Sequence, residues 1–230
     1  MKGDRGQIME TAVVAGATRG IGLELTRQLL SSGRRVVATF REGPGELEGL
    51  EPGSRLELQQ LDVASDTSVA HLAAALADRP VDLLFCMAGT YGGSRQAIDD
   101  MDLDAWREAF EVNTLGPFRV VTSLREHLVR AANPRALVIS SQMGALGRRS
   151  RGTYAYRSTK AAANKVAQLL ALDLEDAGVV VCPVHPGWVR TDMGGPGADI
   201  SAEESASGLI SLAESLTAEH SGRFWTWEGK

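Results

Sequence analysis

The chain reads as a doubly wound α/β domain, with a mostly parallel sheet of about seven strands and helices on both faces. Three observations lead there. Apolar runs of strand length alternate with helix-like stretches almost from end to end. The runs are continuously apolar rather than strictly alternating, which suits strands covered on both faces. The first run also passes directly into a glycine-rich turn and then a helix, the start of a β–α–β unit with a right-handed crossover.

In chain order, residues 11–15 predict the first strand and residues 20–30 the first helix, closed by Gly33 just past its end. Residues 35–40 predict the second strand. The stretch 41–53, rich in Gly, Pro and Glu, reads as a surface excursion. A third strand over 56–61 precedes a helix over 68–76, and a fourth over 81–87 precedes one long helix over 104–131. A fifth strand over 136–140 leads to a helix over 155–177 that Gly178 ends. After a sixth strand over 179–184, the segment 187–201 holds four glycines and Pro196, so it predicts a loop that covers a site. A helix over 202–216 and a last strand over 223–227, with Trp225 and Trp227 alternating, complete the set. No repeat, low-complexity tract or linker interrupts it, so residues 1–230 are expected to form one domain with a substrate loop at 187–201.

At 230 residues the chain is long enough to bury a sizeable core. Its 43% hydrophobic and 23% charged residues are ordinary for a globular protein. A net charge of -5 and the lack of a basic stripe argue against a nucleic-acid partner. No apolar run approaches the roughly 18 residues of a membrane span. The polar start, residues 1–10, lacks the apolar segment of a signal peptide, so a cytoplasmic protein is expected. Cys86 and Cys182 sit inside apolar runs and read as reduced core residues. His71, His127, His185 and His220 have no ligand spacing, and no metal is expected.

The chemistry gathers in Tyr156-Arg157-Ser158-Thr159-Lys160. A Tyr and a Lys four positions apart share one helix face. An ammonium beside a phenol favours the phenolate, so Lys160 is expected to lower the Tyr156 pKa and let it exchange protons near neutral pH. A hydroxyl from Ser141 would hydrogen-bond the same reacting oxygen. Tyr154 faces another way and reads as packing, while Ser140 is the rival serine. The turn Gly16-Ala17-Thr18-Arg19-Gly20-Ile21-Gly22 supplies the other half of a redox site, since its glycines let backbone approach a pyrophosphate at a helix N-terminus. The second strand ends Thr39-Phe40-Arg41 without the acid that binds an NAD ribose. Arg19 and Arg41 instead suit a 2′-phosphate, so NADP(H) is expected over NAD(H).

These ordered motifs resemble the short-chain dehydrogenase/reductase family over nearly the whole length. The resemblance implies a Rossmann-type fold, with Asp62 and Val63 bracketing adenine and Ala88 and Gly89 lining the cofactor after the fourth strand. It makes Asn113 the helix asparagine of a tetrad with Ser141, Tyr156 and Lys160. It places Pro186, Gly187, Val189 and Thr191 near the nicotinamide. Cys86-Met87 replaces a family Asn-Asn pair, and the Ser-to-Tyr segment is extended by Arg148-Arg149-Ser150-Arg151. That cluster reads as a solvated loop, with attraction of an acidic substrate as the other reading. Tyr91, Trp188 and Met193 fit pocket lining and packing equally. Several phrases resemble the C-factor/sniffer-like branch. The implied activity is hydride transfer between NADP(H) and a small carbonyl or alcohol substrate. The alternatives are an NADP(H)-binding sensor or signalling protein and an epimerase or dehydratase. A homodimer or homotetramer is the implied assembly.

Overall fold

The structure, a computed structural model, describes residues 9–50 and 53–230. Most of the polar start, and two residues of the expected excursion over 41–53, lie outside the described residues. In chain order the elements are β1 (Thr11–Ala15), α1 (Gly20–Ser31), β2 (Arg35–Phe40), β3 (Leu56–Gln60), α2 (Asp66–Leu76) and β4 (Leu83–Cys86). A small hairpin of β5 (Gln96–Ala97) and β6 (Asp100–Met101) follows, then α3 (Leu103–Phe110), α4 (Gly116–Ser123) and α5 (Arg125–Val129). The chain ends with β7 (Arg135–Ile139), α6 (Tyr154–Asp173), β8 (Val180–His185), α7 (Ala202–Ser215) and β9 (Trp225–Thr226).

Seven strands form one sheet in the order β3-β2-β1-β4-β7-β8-β9. Every pairing in it is parallel, so the sheet is wholly rather than mostly parallel. The order reverses between β1 and β4, which opens a crevice at the carboxyl ends of those strands. Side chains alternate across the sheet as the pleat requires. Val13, Val37, Leu84, Val138 and Val181 pack toward Val69, Leu72, Val120 and Leu170 on α2, α4 and α6. Val14, Val36, Phe85, Leu137 and Cys182 pack toward Leu25, Leu29, Leu209 and Leu212 on α1 and α7. Helices thus cover both faces of a Rossmann-type fold, and the continuous apolar runs follow from that double burial. Cys86 and Cys182 are buried free thiols, and burial pushes each up to about 12.

The expected helix over 104–131 is not continuous. After α3 the backbone widens into a π-turn, Glu111–Leu115, before α4. The cause is local. Pro117 has no N–H to give to the carbonyl of Asn113, and its ring crowds that carbonyl. Gly116 instead donates to Glu111 O, five residues back. The last strand is also shorter than expected, Trp225–Thr226 at the sheet edge, and the β5–β6 hairpin carries no apolar signature that announced it. Helix α7 opens with a reciprocal capping box between Ser201 and Glu204, which fixes where the segment 187–201 ends.

Candidate active site

The first strand end and the fourth meet tightly. Met87 and Ala88 both donate to Ala15 O, at 2.9 and 2.8 Å. Gly16 follows with φ +100°, and a Cβ there would lie 2.7 Å from Ala88 N, so only glycine fits. A Cβ at Gly20 would press Thr191 Cγ2 at 2.9 Å, and one at Gly22 would strike Gly16 O. Thr39 at the end of β2 ties the turn down by accepting from Gly16 N at 2.9 Å. Helix α1 then begins with Arg19 at its N-cap and no side chain capping its free amides. A glycine cradle in front of uncapped helix N–H groups has the chemistry of a pyrophosphate site, so the residues present fit the dinucleotide that the fold implies.

Lys160, buried, reaches from α6 to donate to Ile139 O at 2.8 Å, at the carboxyl end of β7. Burial lowers its pKa to about 8. Gly89 keeps the space beside it open, since a Cβ there would sit 3.5 Å from Lys160 Nζ and 3.3 Å from Asn113 Oδ1. Tyr156 lies one turn before Lys160, which stands 5.8 Å from the phenol ring centre. The structure departs here from the sequence expectation. Burial holds the Tyr156 phenol above its ordinary pKa. A hydrogen bond with Ser141 works against that, and Tyr91 adds to it. Desolvation dominates because the ring is buried, which disfavours the phenolate.

Ser141 is buried directly after β7 and accepts from Met143 N at 3.1 Å, capping the short helical turn Gln142–Gly144. The rival Ser140 points away and donates to Lys160 O at 3.1 Å. Tyr154 is half exposed beside Trp106, with ring centres 6.3 Å apart. Thr153, just before α6, takes a left-handed φ of +51°, so the chain turns sharply where the Tyr/Lys helix begins.

Asn113 is fully buried in the π-turn, and its side chain is wholly spent on structure. Its Nδ2 donates to Thr90 O at 2.8 Å and Thr159 Oγ1 at 3.0 Å, while Oδ1 accepts from Thr90 N at 2.8 Å. It clamps the segment after β4 to the Tyr/Lys helix. Asp62 is likewise engaged locally, with Oδ1 accepting from Ala64 N at 2.9 Å, and Val63 is buried against Gly116. Arg19 and Arg41 are exposed and each has an acid beside it. Arg19 pairs with Asp192 at 3.0 Å and Arg41 with Glu42 at 2.9 Å.

Residues 187–201 form a clasped loop. Val189 and Ile200 bridge as parallel partners, Arg190 N donates to Ile200 O at 2.9 Å, and Trp188 Nε1 donates to Gly194 O at 2.9 Å. Gly187 has φ +93°, and a Cβ would meet Ile200 Cδ1 at 2.5 Å. Pro186 O is held by Ser205 of α7 at 2.6 Å. Thr191 accepts from Gly194 N at 3.2 Å and packs on Gly20, so the loop touches the glycine turn directly.

Tyr91 belongs to the site, stacked on Tyr156 with ring centres 5.1 Å apart, whereas Trp188 and Met193 stand exposed on the loop. Gln96 was not anticipated. Its Oε1 accepts from Tyr156 N at 3.3 Å, and its Nε2 donates to Tyr91 O and Gly93 O at 2.8 and 2.9 Å. No local signal marks a glutamine 60 residues away from its partner. Among the described residues no group of three or more His, Cys, Asp or Glu side chains is arranged to hold a metal ion. No helix among them is long and apolar enough to cross a membrane.

A glycine turn entering a parallel sheet at its switch point, with a Tyr/Lys helix over the same strand ends, is the arrangement of an α/β oxidoreductase. Within that class the chain belongs to the short-chain dehydrogenase family, whose model, described as short chain dehydrogenase, matches residues 10–199. It is 37% identical over 232 residues to the 1-hydroxy-2-glutathionyl-2-methyl-3-butene dehydrogenase of Rhodococcus sp. (strain AD45), covering 96% of this chain and 98% of that protein. The NADPH-bound carbonyl reductase from chicken fatty liver superposes with a TM-score of 0.90 at 29% identity, over 96% of this chain and 98% of that one. The carbonyl reductase Sniffer of D. melanogaster superposes equally well, at 26% identity with the same coverage. The sniffer-like branch expected from the sequence is therefore where the chain falls.

Proposed function

We propose that the chain interconverts a carbonyl and an alcohol with NADP(H), through Ser141, Tyr156 and Lys160. One observation carries this reading: the Tyr156–Lys160 pair and Ser141 stand at the same carboxyl edge of the sheet as the uncapped glycine turn, with Ala88-Gly89 between them. The Sniffer and chicken neighbours are carbonyl reductases and the Rhodococcus relative is a dehydrogenase, the two directions of one reaction.

Gly16, Thr18, Gly20, Ile21 and Gly22 would hold the pyrophosphate, and Arg19 and Arg41 the 2′-phosphate after leaving Asp192 and Glu42. Asp62, Val63, Ala88 and Gly89 would flank the adenosine half. Pro186, Gly187, Val189 and Thr191 would flank the nicotinamide, with Lys160 on its ribose. When bound, NADPH supplies the hydride that reaches the carbonyl carbon. Tyr156 delivers its phenol proton to the oxygen, so aldehyde or ketone, NADPH and a proton give alcohol and NADP+. Ser141 orients the oxygen and stabilises its developing charge. The raised pKa of Tyr156 keeps it a proton donor at neutral pH, which suits the reductive direction. Lys160 carries its charge below about pH 8 and steadies the tyrosinate left behind.

Asn113 acts as a positioning residue, holding Thr90 against Thr159 and so fixing Gly89 beside Lys160. The test is Tyr156→Phe with a panel of aldehydes and ketones. NADPH oxidation should fall by about 10²-fold or more, the scale of general acid catalysis, while NADPH still binds. Turnover at the wild-type rate would overturn the mechanism. NADPH binding without consumption by the wild-type chain on every carbonyl would remove the oxidoreductase reading itself.

A further inference from the structure

Between Gly144 and α6 the chain carries Arg148, Arg149 and Arg151 and no acid. Among the described residues none of the three has a carboxylate partner, whereas in other loops Arg19 and Arg41 each pair with one and Arg95 with two. The sequence alone favours a solvated loop here, but Arg148 is held in place. Its Nη1 donates to Gln142 Oε1 at 2.7 Å, and its backbone N–H closes a turn on Ala145 O at 3.1 Å. Gln142 directly follows Ser141. His185, the last residue of β8 and the neighbour of Pro186, feels the Arg148 charge as the lesser of two influences that lower its pKa. The hydrogen bond to Gln142 thus tethers the guanidinium to the residue that follows Ser141, just past the end of β7.

The end of β8 holds a polar atom without a partner. His185 Nδ1 is buried, with no hydrogen bond among the described residues. Burial first, and the Arg148 charge second, push that imidazole down to about 4, so it stands neutral. Buried polar atoms are normally satisfied, so the unpartnered His185 Nδ1 at the end of β8 is a polar group open to a ligand. Arg148 uses one of its five N–H donors on Gln142, which leaves an edge of the fork to meet a planar anion in bidentate fashion.

We propose that Arg148 is a specificity-determining residue that binds a carboxylate on the substrate, so the preferred substrates are carboxylate-bearing aldehydes, ketones or alcohols. This rests on the hydride-transfer reading above. Arg149 and Arg151 add a positive field that draws anions to the mouth of the site. Lysine would serve less well than arginine, because it offers a point charge in place of a fork.

The test compares para-formylbenzoate with para-formylbenzamide, which share a shape and differ in charge. For the wild type, Arg148→Gln and Arg148→Lys, kcat/KM is measured by NADPH consumption and binding of each compound by ligand-observed NMR. Arg148 is exposed, so neither variant disturbs the core. The wild type should prefer the acid. Arg148→Gln should lower the acid-to-amide ratio of kcat/KM about tenfold or more, mainly through KM, and Arg148→Lys should restore part of it. An equal ratio in wild type and Arg148→Gln overturns the proposal. If the wild type turns over neither these compounds nor any carbonyl of the panel, yet binds the acid about tenfold more tightly than Arg148→Gln does, the hydride-transfer reading falls and the carboxylate site stands. Absence of both turnover and a binding difference overturns the two together.

Discussion

Two ionisable groups on one helix turn are shifted in opposite directions by the same cause. Burial raises the Tyr156 phenol and lowers the Lys160 ammonium to about 8, because low dielectric disfavours the charged form of either. The rate of carbonyl reduction should therefore decline as pH rises through about 8, where Lys160 loses its proton, and a flat pH profile of kcat/KM across that region would contradict the assignment. Stability carries the matching sign. Lys160 holds its proton more weakly folded, at about 8, than unfolded, at 10.5, so the unfolded chain binds more protons between those values. Folding should strengthen as pH rises through that window, and Lys160→Met should remove the rise in denaturation midpoint. Cofactor choice is a second matter of single residues. Arg41→Asp replaces a phosphate-pairing cation with an anion and should reverse a preference for NADP over NAD, read as the ratio of kcat/KM for the two. Tyr156 and Lys160 were legible as a pair because their four-residue spacing puts them on one helix face, while Ser141 was singled out over Ser140 by the family resemblance. Gln96 was not, and Tyr91 stayed balanced between pocket lining and packing, because their contacts with Tyr156 join segments distant in sequence.

At the level of elements, the strands were readable because burial on both faces writes apolar residues continuously along them. The helix over 104–131 misled because its apolar periodicity runs through Gly116-Pro117, and periodicity does not register a missing N–H. The π-turn that results carries Asn113 into its clamp on Thr90 and Thr159, so a local backbone rule decides where a site residue lies. The end of α2 offers a cleaner measurement. Ala77 closes that helix at φ +50°, ψ -121°, a conformation suited to glycine. Ala77→Gly should stabilise the fold by about 1 kcal/mol and raise Tm by about 2–4 °C in a thermal melt, with no change in activity.

Across the whole molecule, one sheet divides two apolar layers, and the crevice at its switch point gathers residues from β1, β4, β7, α6 and the loop after β8. That convergence was expected from the alternating elements, since a parallel doubly wound sheet directs its functional loops to one rim. The clasp on residues 187–201 has a practical meaning for engineering. Its two ends are stitched to each other by Val189 and Ile200 before the chain re-enters α7 through a self-contained cap at Ser201. The sheet thus sees a fixed pair of anchor points whatever lies between them. The segment behaves as an exchangeable cassette: transplanting the corresponding stretch from the Rhodococcus relative should leave Tm within a few degrees while redirecting the ranking of kcat/KM across a carbonyl panel.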